Sequence, residues 1–322
     1  MKVIPNCTLD DIRKAAQALK NEHLVAFPTE TVYGLGADAV NAKAVSRIYS
    51  VKSRPKDHPL IVHISSLIQL HRWAIDVPGY AIKLAKDFWP GPMTLILKRS
   101  KFAKDFITGG QDSVALRVPD HLIALDLLTE FEKLGGFGIA APSANRFGAV
   151  SPTTAEAVVD ELGEFLSEDE LILNGGPCSI GIESTIIDCT TKIPRILRPG
   201  AITAEMIETT TGYKIPLSSK NIKVRASGSL GSHYSPSANV VIGTTAQPGD
   251  GFIAMENIPT PTGGIRLASP SSINQYARLF YSALREGDRI KLGKIVVFQP
   301  HGEGLAEAIR NRLEKAANKK QI

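Results

Sequence analysis

Apolar positions recur at helical spacing from the start of the chain: Leu9, Ile12, Ala16 and Leu19 fall on one helix face, and Thr8 with Asp11 forms a capping box ahead of them. HLVAF then reads as a short buried strand. The alternation continues, with Asn41 placed to cap AKAVSRIYSVK, PLIVHI as the next strand, AIKLAKDFW as a helix, and MTLILK and SVALRV as strands. Asp120 is the expected cap of HLIALDLLTEFEKL, which Gly135 and Gly136 close. After FGIAA, Thr153 and Glu156 are spaced as a capping box for TAEAVVDEL, and LILN, STIID and PRILR are further strands. This mixture predicts an α/β fold for residues 1–212, built on an open twisted sheet of mixed direction.

Residues 213–238 change character. PLSSKNIKVRASGSLGSHYSPS is rich in Ser, Gly and Lys and reads as a linker. Beyond it, NVVIGT, GFIAM, GGIRLA, a helix around SINQYARLFYSALRE, KIVVFQ and a last helix GLAEAIRNRLEKAAN repeat the alternation on a smaller scale. A second, smaller α/β domain of Rossmann-like type is expected over residues 239–322.

Composition agrees with two domains, since 322 residues at 43% hydrophobic content can bury one large core and a smaller one. The formal charge of +5, from 37 basic against 32 acidic residues, is a mild excess that favours phosphorylated ligands without implying nucleic-acid binding. The N-terminus lacks the pattern of a signal peptide and no apolar run approaches membrane-spanning length, so a soluble, cytoplasmic protein with no membrane partner is expected. Three scattered cysteines, Cys7, Cys178 and Cys189, fit a reducing compartment, and no His is placed to activate Cys178 in NGGPCSIG.

GLGADA, Gly34 to Ala39, matches a dinucleotide-binding pattern, but the motif should follow directly on a strand and Phe27 lies too far upstream. No phosphate-binding P-loop sequence occurs. What remains is a set of hydroxyl and small-residue segments, each just after an expected strand: FPTETVYGLG, ALRVP, APSAN, GIESTI and RILRPG. Ligands in open α/β sheets gather at strand ends, so these segments can converge on one crevice. Taken singly, Thr29 reads as a turn residue, Ser143 and Asn145 as turn or cap formers, and Arg117 as an edge-strand charge. Together they suit one anionic, zwitterion-sized site: hydroxyls orient an amino acid, an Arg takes a carboxylate with two prongs, and Lys neutralises phosphate. No paired carboxylates or Ser-His-Asp set compete, which points to an enzyme that works by positioning.

The ordered motifs FPTETVYGLG, KSRPKDHPLIVHI, WPGPMTLIL, ALRVP, APSAN, GIESTI, LRPG and SHYSP together resemble the YrdC family in its longer form, the two-domain L-threonylcarbamoyladenylate synthases. The match runs through about the first 205 residues in order and resumes at HYSP and AIRNRLEKAA. The resemblance implies that L-threonine, bicarbonate or CO2, and ATP give L-threonylcarbamoyl-AMP and pyrophosphate, with Mg2+ accompanying the ATP. It also implies a downstream transferase that passes the group to adenosine in tRNA. Carried over by position, Lys52, Arg54, Ser143 and Asn145 match the family's Lys-x-Arg and Ser-x-Asn tetrad, expected on the phosphates and adenylate. Thr29, His63, Arg117, Ala141 and Ser184 fall where the family binds threonine, and Lys56, Ser113, Ser151 and Arg198 where it binds ATP. Tyr234 matches a linker that folds back over the nucleotide, although Ser235 stands where Ala is usual. A rival reading, a nucleic-acid-binding module or at least a weak tRNA contact, rests on the basic charge alone; aromatic content of 6% and the lack of a stacking motif argue against it as the main function.

Overall fold

The computed structural model describes residues 1–5, 7–215, 224–226, 228 and 234–318. Along the chain the elements are β1 (Lys2–Ile4), α1 (Leu9–Lys20), β2 (Val25–Phe27), β3 (Gly34–Asp38), α2 (Ala42–Lys52), β4 (Ile61–His63), α3 (Leu70–Trp73), α4 (Gly79–Phe88), β5 (Met93–Lys98), α5 (Asp105–Thr108), β6 (Ser113–Arg117), α6 (Leu122–Lys133), β7 (Ile139–Ala140), α7 (Ala155–Leu162), β8 (Leu171–Leu173), β9 (Thr185–Asp188), β10 (Arg195–Arg198) and α8 (Ala204–Thr211). After the linker come β11 (Asn239–Ile242), β12 (Gly251–Ile253), β13 (Ile265–Ala268), α9 (Ile273–Arg289), β14 (Lys294–Val297) and α10 (Leu305–Ala317).

The first ten strands form one mixed sheet in the order β1-β8-β2-β3-β7-β4-β6-β5-β9-β10, and the last four an all-parallel sheet in the order β11-β14-β12-β13. The α/β class and the mixed direction follow the alternation in the sequence. Local chemistry explains the boundaries. Thr8 and Asp11 close a reciprocal capping box on α1, and the Asn41 side chain accepts from the Lys43 and Ala44 amides at the start of α2, each cap contributing about 1 kcal/mol.

Four local expectations are corrected. α6 starts after His121 with no side-chain cap, so Asp120 does not cap it. The cap of α7 is Thr154, whose hydroxyl accepts from the Ala157 amide; Thr153 is buried instead, its carbonyl taken by the Cys178 amide at 2.9 Å, which moves the helix start by one residue. The GLG that ends FPTETVYGLG, expected to follow a strand, itself opens strand β3, and a Cβ on Gly36 would stand 2.6 Å from Ile139 Cγ2 and 2.9 Å from the Phe27 ring. Close packing, not a pyrophosphate, is what requires glycine there. GIESTI leads into a strand, β9, rather than following one.

Register explains why that segment nevertheless reaches the others. β4 and β6 run parallel with His63 level with Arg117. β5 is antiparallel to β6, and β9 is parallel to β5 with Thr185 level with Met93, so the start of β9 lies at the end of β6. β10 returns antiparallel with Arg198 opposite Ile186. On the other side, β7 runs against β4 and β3, and Gly34 bridges Ser143. Reversals of direction in this mixed sheet thus bring strand starts and strand ends to one cleft.

The main core packs helices on the first sheet around residues such as Trp73, Ile48, Leu116 and Val62. A second core under α9 and α10 includes Phe280, Tyr281, Ile309 and Leu313, and also takes in Val32, Val150, Ile182 and Tyr234 from the first part of the chain. The two sheets are therefore joined by a shared apolar seam beside the cleft.

Candidate active site

The cleft is lined by Thr29, Thr31, Gly34, Ile61, His63, Arg117, Ala141, Ser143, Glu183, Ser184, Arg198 and Tyr234 among others. Of the residues expected on threonine, all five (Thr29, His63, Arg117, Ala141 and Ser184) line it. Of those expected on ATP or in the tetrad, Ser143, Arg198 and Tyr234 do, while the others are placed around it.

Thr29 holds two roles at once. Its hydroxyl donates to the Val32 carbonyl at 2.7 Å and accepts from the Thr31 and Val32 amides at 3.2 Å each, so it shapes the turn that it presents to the cleft. His63, at the end of β4, is buried against Phe27 in an edge-on ring contact at 5.7 Å. Burial first, then the neighbouring Arg117, hold its imidazole down at about 3, so the ring is neutral at physiological pH. Its Nδ1 has no partner among the described residues, leaving a buried polar atom with hydrogen-bonding capacity for a ligand.

Arg117 meets a partner that was not expected: Nη2 lies 2.6 Å from Glu30 Oε2, and both side chains are almost wholly buried. Nε has no partner among the described residues, so the guanidinium is fixed in place with donor capacity left over. Ser184 is similarly held, its hydroxyl paired with that of Thr94 at 2.7 Å and accepting from Arg198 Nη2 at 3.1 Å, while Arg198 Nε donates to the Ser184 carbonyl at 3.0 Å. Tyr234 lines the cleft together with Arg198, which brings the linker's aromatic residue to the cleft wall. Tyr234 sits at φ 64°, a left-handed conformation that a non-glycine residue adopts only when its surroundings enforce it.

The tetrad is built differently from its sequence appearance. Lys52, the last residue of α2, is buried, and its ammonium donates to the Ser143 carbonyl at 2.6 Å and to the Asn145 carbonyl. Burial, then Arg54, push this amine well below its ordinary range. Asn145 donates from Nδ2 to the Arg146 and Ala149 carbonyls, both at 2.8 Å, and keeps Oδ1 buried without a partner among the described residues. Arg54 donates to the Pro59 carbonyl at 2.9 Å and packs on the Phe147 ring at 5.8 Å. Lys52 and Asn145 brace the turn that carries Ser143 through its carbonyl oxygens, while Arg54 braces the loop that leads into β4.

Ser113 opens β6 and lines a small neighbouring pocket with Ile96, Ala115, Ile186, Arg225 and Ala226. Ser151 is fully buried and donates to Glu183 Oε1 at 2.6 Å. Lys56 is exposed on the loop between α2 and β4. Of the linker motif, Gly231, Ser232 and His233 lie outside the described residues.

Sequence reasoning missed Glu30, Glu183 and Thr94, although the first two stand inside FPTETVYGLG and GIESTI. Their signal was a carboxylate within an otherwise apolar and hydroxyl-rich motif, a residue type that is buried only when paired. Burial raises the Glu183 carboxyl, but Arg312 and Arg198 outweigh it and hold it at about 2. Cys178 is buried and its thiol is pushed up to about 12, so no thiolate nucleophile stands here. Among the described residues no three His, Cys, Asp or Glu side chains gather as a metal site, and no helix is long and apolar enough to cross a membrane.

A family model named for Sua5, YciO and YrdC and described as telomere recombination matches residues 17–200; a second, described as threonylcarbamoyl-AMP synthase, C-terminal domain, matches residues 202–318. The chain is 40% identical to a threonylcarbamoyl-AMP synthase of Pyrococcus abyssi, over 95% of this chain and 94% of that one. It is equally 40% identical to one of Bacillus subtilis, over 97% and 94%. The crystal structure of P. abyssi Sua5 complexed with L-threonine superposes with a TM-score of 0.88 at 37% identity, covering 98% of each chain. With both models matched in order and the whole architecture shared, the chain belongs to the Sua5/YciO/YrdC family, in its form with the added C-terminal domain.

Proposed function

We propose that this chain is an L-threonylcarbamoyladenylate synthase, a nucleotidyltransferase that joins L-threonine, bicarbonate or CO2, and ATP. The observation that carries the reading is a single buried cleft in which a braced arginine, a neutral histidine and fixed hydroxyls stand beside a second arginine and the linker tyrosine. Arg117 has the planar fork for an α-carboxylate, His63 keeps an unpartnered ring nitrogen for a side-chain hydroxyl, and the Thr29 turn shapes the wall beside them. Arg198, Ser143 and Tyr234 bound the side toward which ATP extends, with the cavity at Ser113 and Ala226 as its continuation.

In the reaction the threonine amine adds to CO2, forming the carbamate N–C bond and releasing a proton. A carbamate oxygen then attacks the α-phosphorus in line, and the bond to the β-phosphate oxygen breaks to release pyrophosphate. The chain contributes position and charge rather than a nucleophile. The neutral imidazole keeps a ring nitrogen able to accept a hydrogen bond from the substrate, which an imidazolium lacks. The site's two carboxylates, Glu30 and Glu183, are each engaged by an arginine, so the donor set does not form a resident Mg2+ cage. Mg2+ is proposed as the companion of ATP, carried on its phosphates. A transferase that consumes the labile adenylate on tRNA would place the work in the cytoplasm. The test is incubation with ATP, L-threonine and bicarbonate followed by mass analysis of the nucleotide; a threonine-dependent mass at threonylcarbamoyl-AMP is expected, and AMP or ADP alone would overturn the reading.

A further inference from the structure

Arg312, on α10 of the second domain, is completely buried and extends its guanidinium into the first. Nε donates to Glu183 Oε2 at 3.0 Å, Nη2 to the Glu183 carbonyl at 3.3 Å, and Nη1 to the Pro199 carbonyl at 2.8 Å. Those two residues adjoin Ser184 and Arg198 in the chain. The same guanidinium lies 5.7 Å from the centre of the Tyr234 ring. From α9, the Tyr281 hydroxyl donates to Glu183 Oε2 at 2.9 Å, while Ser151 takes the other carboxylate oxygen. One carboxylate is thus held by two donors of the second domain and in turn holds Ser151.

Cohesion between domains does not require this arrangement, because buried ion pairs add little stability over apolar packing of the same volume. What an arginine fork on two backbone carbonyls and a carboxylate does add is fixed geometry. We infer that Arg312 is a positioning residue for the nucleotide side of the cleft: through Pro199 it sets Arg198, and through the Glu183 carboxylate it sets Ser151. The inference rests on the assignment of that side to ATP. The threonine side is braced separately, by Glu30 on Arg117 and by the Thr29 turn, and among the described residues neither Arg312 nor Tyr281 hydrogen-bonds to Thr29, His63 or Arg117.

The test uses full-length Arg312→Met, Arg312→Lys and Tyr281→Phe, with ATP and threonine binding measured separately by calorimetry, turnover at varied ATP, and melting temperature. Arg312→Met is expected to lower kcat/KM for ATP by about 100-fold, the effect of misplacing groups by an ångström, with threonine affinity kept within about twofold. Arg312→Lys keeps charge on Glu183 but cannot hold both carbonyls, so about a tenfold loss remains. Tyr281→Phe, which preserves packing and leaves Arg312 on the carboxylate, should cost about threefold to tenfold, the value of one ordinary hydrogen bond. If Arg312→Met does not fold, the other two carry the test at unchanged melting temperature. Wild-type ATP binding and kinetics in both, or equal losses of ATP and threonine affinity, would overturn the inference. A wild-type chain that binds ATP and threonine but makes no threonylcarbamoyl-AMP would instead refute the reaction, leaving the split in ligand affinities to decide the role of Arg312.

Discussion

Arg117 and Glu30 form a pair in which each side chain keeps 5% and 4% of its exposure, so neither charge has water to fall back on. Arg117→Met removes the cation and leaves the Glu30 carboxylate buried alone, a change expected to cost about 3–5 kcal/mol. With an unfolding entropy of about 2.1 cal/mol/K per residue, that is a fall of roughly 4–7 °C in Tm for a chain of this length. Threonine affinity should vanish at the same time, which by itself cannot distinguish lost recognition from a damaged fold. The double variant Glu30→Gln, Arg117→Met separates the two. It removes the stranded charge, so most of the lost Tm should return by calorimetry, whereas threonine binding by titration calorimetry should stay absent because the fork for the carboxylate is gone. ATP affinity should persist in both variants. Recovery of threonine binding in the double variant would refute the role of Arg117 on the carboxylate, and a single variant as stable as the wild type would refute the energetic account of the pair.

Three further outcomes are expected. A site that pairs the substrate hydroxyl should turn over L-threonine far better than 2-aminobutyrate, by a factor on the order of 10⁴ if the hydroxyl's partners are left unpaired, and equal kcat/KM for the two would sink that assignment. His63 is depressed to about 3, so below its unfolded value near 6.5 the unfolded chain binds a proton that the folded chain does not; stability present above that value is lost as pH falls toward 3. At pH 5 the contribution is about 2 kcal/mol, and denaturant melts of His63→Gln should show a shallower acid loss than the wild type, with identical slopes counting against the buried neutral ring. Finally, Gly228 at φ 76° stands where a Cβ would collide with the Tyr234 hydroxyl, so the linker is proposed as a lid closed by Tyr234: ATP plus threonine should protect it from limited proteolysis, and Tyr234→Ala should shorten retention of the adenylate. Unchanged cleavage on ligand saturation together with wild-type turnover in Tyr234→Ala would reduce the linker to a tether.

Much of the architecture was legible because it is encoded locally. Helical spacing after Thr8 and Asn41, the β-branched runs MTLILK and SVALRV, and the change to Ser and Gly after Ile215 each reflect interactions within a few residues, and caps and periodicity report those. Motif order along the chain carried the family in the same way. Where a neighbour in space decided the outcome, local signals misled: Thr153 looks like a cap until its carbonyl is found on Cys178, and GIESTI reads as following a strand until pairing with β5 places it at the start of β9.

The site shows the same division. Residue types at strand ends suggested one anionic site that takes in Thr29, Arg117 and Ser143, and the resemblance added His63, Ala141 and Ser184 by position; all of them line the cleft. Only the tertiary structure decided that Lys52 braces a turn, that Arg117 is already paired with Glu30, and that Glu183 answers to Arg312 from 129 residues away. The reason is physical: burial turns a charge from a surface ornament into a demand for a specific partner, and which partner meets it depends on sheet register and domain packing, which no short stretch of sequence contains.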